Sequence, residues 1–178
     1  MPMLSSHPDM PAQLVRSIEA RIISADDNWL RLRWRIDGIG DILFPVFAGK
    51  GREDGLWQRT CFELFVMPEG LESYLEFNFS PSQRWAAYGF SGYRAAMMEH
   101  PLPHEPACTL RTGSDFAIFD VAVPAEGLPP HPWRYGLSAV IEETNGTKSY
   151  WALAHPLGAP DFHHPTCFAA TLPAPDYP

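Results

Sequence analysis

Leu30, Leu32, Trp34 and Ile36 alternate with Arg31, Arg33 and Arg35. That period of two buries one face of a strand and leaves a basic ladder in water. Ser17 to Ser24 alternates in the same way, and Asp26-Asp27-Asn28 between the runs is turn chemistry, so the two form a hairpin. Further strands are expected at Ile42 to Phe47 and near 57–67, 74–80, 84–91, 107–112 and 115–123. Pro45 marks the first of these as an edge or a bulge. Trp133 to Glu143 should pair with Lys148 to Ala154 across Thr144-Asn145-Gly146-Thr147, since Asn-Gly is a strong hairpin signal. A last strand is expected at 167–172, after a proline-rich loop from His155 to Pro165. Pro101, Pro103 and Pro106 exclude a long helix over 92–106. About ten short strands without a helix of ordinary length predict an all-β fold, an antiparallel β-sandwich of two sheets. The domain spans 13–172, with a flexible lead-in at 1–12 and a tail at 173–178.

The same alternation points to a site. Phe62, Leu64 and Val66 alternate with Cys61, Glu63 and Phe65, and Leu75, Phe77 and Phe79 with Tyr74, Glu76 and Asn78. If the two strands pair, both apolar sets face one core, because a slip by one residue would bury Glu76 and Asn78 at a cost of several kcal/mol. Glu63 then stands beside Glu76 or Asn78 on the opposite face, which also carries Trp57, Arg59 and Phe65. Two adjacent carboxylates repel, so either one is protonated or a cation such as Arg59 or Arg94 lies between them. The cluster is either a ligand site or an internal ion-pair network tying the sheet to a covering loop.

Composition narrows the function. The chain has 178 residues, enough for one sizeable core. Its formal charge of −8 argues against nucleic acid, which demands clustered Lys and Arg. Cys61, Cys108 and Cys167 cannot all pair within one chain and show no CxxC spacing, so they read as free buried thiols in a reducing cytoplasm. The first eleven residues lack the basic and apolar regions of a signal peptide, and no stretch of eighteen apolar residues implies a membrane span.

Several segments together resemble the DOMON-like superfamily, in the bacterial branch related to carbohydrate-binding module family 9. They are Leu56-Trp57-x-x-Thr60-Cys61-Phe62-Glu63-Leu64-Phe65, Tyr74 to Ser82, Trp85-Ala86-Ala87-Tyr88, Tyr150-Trp151-Ala152-Leu153, and Pro160 to Phe168. The resemblance implies a two-sheet β-sandwich and a binding role rather than a catalytic one, with sugar or, in other branches, haem as ligand. It also implies that tryptophans clasp the ring, for which Trp57, Trp85 and Trp151 are this chain's candidates. Polar contacts would come from Glu63, Glu76, Asn78 and Arg94, and Arg59, on the same face by parity, is a further ligand-binding candidate. The expected partner is a carbohydrate, with a structural or protein-interaction sandwich as the alternative.

Other chemistries have weaker footing. No cofactor is expected, although loop carboxylates at Asp26, Asp27 or Asp115 leave calcium open, and Met97, Met98, His100 and His155 leave haem open. His163 and His164 are adjacent and point opposite ways on an extended chain, and no helix places His100 and His104 together. The loop Gly49 to Gly55 lacks P-loop spacing. Glu63 with Glu76 has the separation of any cross-strand pair, about 5 Å. Cys61 with His155 or His163 is disfavoured as a nucleophile and base, because a flanking carboxylate quenches a thiol.

Overall fold

Alternation of apolar and polar residues is realised in a computed structural model that describes residues 2–174. The strands are β1 (Met3–Ser6), β2 (Ser17–Ala25), β3 (Trp29–Asp37), β4 (Gly51–Arg52), β5 (Cys61–Pro68), β6 (Tyr74–Phe79) and β7 (Arg84–Phe90). They continue as β8 (Met98–Glu99), β9 (Ala107–Thr112), β10 (Phe116–Pro124), β11 (Trp133–Glu142), β12 (Lys148–Ala152) and β13 (Ala170–Leu172). Helix among the described residues is confined to three short 3-10 turns. None is long and apolar enough to cross a membrane.

The all-β expectation holds, but the division into two separate sheets does not. Eleven strands follow one path, β4-β7-β6-β5-β11-β12-β1-β2-β3-β10-β9, with β13 on β11 and β8 on β7. The seam is β1, which pairs Ser5 and Ser6 with β12 and Met3 and Leu4 with β2. The segment read as a lead-in thus supplies the strand that makes the sheet continuous. Of the expected tail, residues 175–178 lie outside the described residues.

The sheet curls so that its two halves face one another across a core. Phe62 of β5 stacks on Phe119 of β10 at 4.5 Å, and Trp34 of β3 meets Phe62 at 5.6 Å. All three side chains are fully buried. Outside, Arg33 grips Asp120 through two bonds of 2.7 and 2.9 Å, so the basic ladder is a paired, solvated face. The turn between β2 and β3 closes as its chemistry demands: Asp26 Oδ1 accepts from the amides of Asn28 and Trp29 at 2.9 and 2.8 Å.

Ile42 to Phe47 does not form the expected strand. Only a bridge from Ile42 to Glu143 and a bond from Leu43 N to Glu142 O survive. Pro45 has no N–H to give, no partner strand lies alongside among the described residues, and Val46 and Phe47 are 84% and 74% exposed.

Glu143, just past β11, is buried and accepts the backbone amides of Gln13, Leu14 and Val15 at 3.0, 2.8 and 3.3 Å. One carboxylate thereby satisfies the approach to β2. Glu143→Gln, which adds a buried donor in place of an acceptor, is expected to lower the urea-unfolding free energy by about 1–2 kcal/mol.

Cys61, Cys108 and Cys167 are all free and buried. Burial pushes the Cys61 thiol well up and the Cys108 and Cys167 thiols to about 12 each. Titration of denatured, unreduced protein should find three free thiols, and native protein should react slowly; a single titratable thiol would contradict this.

Candidate functional site

Register builds the site. Between β5 and β6 the pairs Phe62–Phe79, Leu64–Phe77 and Val66–Leu75 lie toward the core, and Glu63–Asn78 and Phe65–Glu76 lie on the other face. The next pairings carry that face outward: Glu76 opposite Tyr88 of β7, Ser138 of β11 opposite Glu63, and Val140 opposite Tyr150 of β12. Glu63, Glu76, Tyr88, Val140 and Tyr150 consequently line one cavity of about 1000 Å³. Irregular segments wall it in, contributing Asp54 and Trp57 on one side, Arg94 and Met97 on another, and Phe162 and His163 on a third. Trp57 rides on the 3-10 turn Leu56–Gln58, which the buried Leu56 anchors, and is 51% exposed at the rim.

Two carboxyls sit at the floor. Glu63 is 3% exposed, and its Oε2 receives the Ser138 hydroxyl at 3.4 Å. Burial, then the nearby Glu76, pushes its pKa well above the carboxylate range. Burial likewise raises Glu76 to about 7, against the opposing pull of Arg94. The cation does not lie between the two acids: Arg94 turns to Asp161 at 2.7 Å. Protonation therefore relieves their repulsion.

His163 connects Glu76 to the covering loop. Its Nδ1 lies 2.7 Å from the Tyr74 hydroxyl, and its Nε2 stands 3.4 Å from Glu76 Oε2. Burial lowers its pKa to about 4, so the ring is neutral. The Tyr74 oxygen also accepts the Arg94 amide at 3.1 Å. All these groups are satisfied when Tyr74 donates to Nδ1 and the ring proton sits on Nε2, toward Glu76. Asp161 is held by Arg94, by the Tyr93 hydroxyl and by the His163 amide. Arg94 itself sits at φ 50°, in the left-handed region, where this loop folds back over the sheet.

Of the eight residues expected at the site, Trp57, Glu63, Glu76 and Arg94 meet at the cavity. Asn78 is buried beside Glu63, and among the described residues neither its oxygen nor its nitrogen finds a partner in hydrogen-bond geometry. Arg59 points away, its side chain 70% exposed and 3.3 Å from Glu142. Trp85 and Trp151 are corrections: both face the core, as their cross-strand partners Phe79 and Ala139 do. Parity decides this. Tyr88 shares a face with Ala86 and Phe90, which turns Trp85 inward, and Tyr150 turns Trp151 inward. Their indole nitrogens are occupied by Glu105 at 3.3 Å and Ser149 at 2.9 Å. The expected clasp of tryptophans thus reduces to Trp57, and the facing walls are tyrosine and phenylalanine.

Tyr88, Tyr150, Phe162 and His163 were not anticipated. The first two were accessible to the parity argument extended by one strand on each side. The last two come from an aperiodic loop. Of the other candidates, Met97 and Met98 line the cavity. His100 and His155 contact the Gly127 and Ser5 carbonyls at 2.7 and 2.8 Å. Asp26 and Asp115 pair with Arg31 and Arg16 at 2.9 and 2.6 Å.

The chain matches no protein-family model, and no curated protein matches it. Among solved structures it is similar to a candidate carbohydrate-binding protein from Bacteroides uniformis, with a TM-score of 0.69 and 17% identity over 95% of this chain and 82% of the other. It is also similar to a carbohydrate-binding module of family 9 from Caldicellulosiruptor kristjanssonii in complex with cellotriose, with a TM-score of 0.50 and 10% identity over 87% of this chain and 74% of the other. At these identities the likeness is one of architecture: the curled all-β fold of this chain is like that of carbohydrate-binding module family 9.

Proposed function

We propose that the chain is a non-catalytic binding module that holds a carbohydrate, or a similar polar small ligand, in the cavity above Glu63 and Glu76. The observation that carries this reading is the pairing of aromatic walls (Trp57, Tyr88, Tyr150) with two buried carboxyls at the floor. A protonated carboxyl both donates and accepts, which suits sugar hydroxyls, and flat aromatic faces suit the apolar face of a pyranose ring. The family 9 fold and the DOMON-like resemblance of residues 13–172 support the same reading. The raised Cys61 thiol supports the non-catalytic part of it. Three free buried thiols support a cytoplasmic protein.

The alternative is a structural module in which the Tyr74–His163–Glu76 chain and the Arg94–Asp161 pair only fasten the loop 155–165 to the sheet. Calorimetry and tryptophan fluorescence with glucose and cellotriose separate the two. A binding module shows saturable quenching that Trp57→Ala abolishes, and Glu63→Gln weakens binding by about 1–3 kcal/mol. No change with any mono- or oligosaccharide would favour the structural alternative.

A further inference from the structure

We infer that the ligand of this cavity carries a positive charge, an ammonium group on a sugar-type ring, rather than hydroxyls alone; the inference rests on the carbohydrate reading of the site. The lining holds five carboxyl groups, Asp54, Glu63, Glu76, Glu99 and Asp161, against a single guanidinium, Arg94. Arg94 is already committed to Asp161 at 2.7 Å. Among the described residues, no lysine or arginine forms an ion pair with Asp54, Glu63, Glu76 or Glu99.

The floor is also left short of donors. Glu76 is 6% exposed, and His163 Nε2 stands 3.4 Å from its Oε2. A buried carboxyl short of donors costs free energy that a bound donor recovers. A neutral sugar is met by carboxyls in their protonated form and gives no reason to leave acids without a facing cation. An ammonium does, since it supplies three donors and a charge to oppose them.

The walls suit the same group. Trp57, Tyr88, Phe90, Tyr150 and Phe162 border the acidic floor. Aromatic faces attract a desolvated cation, so acid below and rings around make a site selective for an amine over a hydroxyl.

The groups facing Glu76 are Glu63 from β5, Tyr88 from β7, Tyr74 from its own strand, and Arg94, Asp161 and His163 from the covering segments. Of these only Arg94 is cationic near neutrality, and it is paired. An ammonium entering this set favours the ionised acids, so its affinity should rise with pH across the range in which Glu76 loses its proton.

Calorimetric titration of the full chain with glucosamine, glucose and N-acetylglucosamine, at pH 5.5 and 7.0 in low salt, tests the inference. At pH 7.0 glucosamine should bind about tenfold more tightly than either neutral ring. That preference should shrink at pH 5.5 and in high salt, and Glu76→Gln should bring the glucosamine-to-glucose ratio close to one. The comparison of the three sugars on the wild-type chain stands even if the variant fails to fold. Equal affinity for glucosamine and the neutral rings would overturn the inference and leave the carbohydrate reading standing. No binding by any of the three would overturn both.

Discussion

Phe62→Ala is expected to lower the stability of the fold by about 3–5 kcal/mol, among the largest effects of any single core truncation in this chain. Phe62 lies where the curled sheet closes on itself, stacked on Phe119 at 4.5 Å and in contact with Trp34 at 5.6 Å. It is fully buried, and rigid strands surround it on both sides, so the space left by the ring cannot collapse. Chemical denaturation by urea measures the loss. A change below about 1 kcal/mol would mean that the two halves of the sheet do not meet as described. Trp85→Ala and Trp151→Ala belong to the same class, since both side chains lie in this core.

Stability should also fall as pH rises, and Glu76 is expected to account for about 3 kcal/mol of the fall. Its folded pKa of about 7 exceeds its ordinary 4.5, so its contribution is complete below 4.5 and is lost as pH rises through about 7. Glu63 is shifted in the same direction and extends the decline to higher pH. His163 opposes them. Its folded pKa of about 4 lies below its ordinary 6.5, so its contribution is complete above 6.5 and is lost as pH falls through about 4. Between 4.5 and 6.5 the slopes of Glu76 and His163 largely cancel, and the decline from Glu63 remains. Above 6.5 His163 no longer compensates. Urea unfolding at pH 5 and pH 8 should show the wild type losing about 3 kcal/mol more than Glu76→Gln. Equal losses in both proteins would mean that Glu76 is not buried as a neutral acid.

What the sequence revealed follows from how local each determinant is. The β2–β3 and β11–β12 hairpins are written in adjacent alternation and in turns of Asp26-Asp27-Asn28 and Asn145-Gly146. The β5–β6 register was legible because only one alignment keeps Glu76 and Asn78 out of the core, and Glu63 does pair with Asn78. β1 was not legible. Four residues carry almost no periodicity, and their partners, β2 and β12, lie far apart along the chain. Trp85 and Trp151 were misplaced because an indole suits either face of a sheet, and only the cross-strand partner fixes which. Ile42 to Phe47 has the apolar content of a strand but finds no edge to pair with. His163 and Phe162 belong to a loop whose position depends on contacts such as Arg94–Asp161.

The most direct test of the binding account follows the six tryptophan indole N–H signals by nuclear magnetic resonance during titration with glucose, glucosamine and cellotriose. The account predicts that the Trp57 signal, at the cavity rim, moves saturably with at least one of these sugars. The Trp85 and Trp151 signals, held in the core by Glu105 and Ser149, should stay in place. Movement of Trp85 or Trp151 with Trp57 unmoved, or no movement with any of the three, would contradict it.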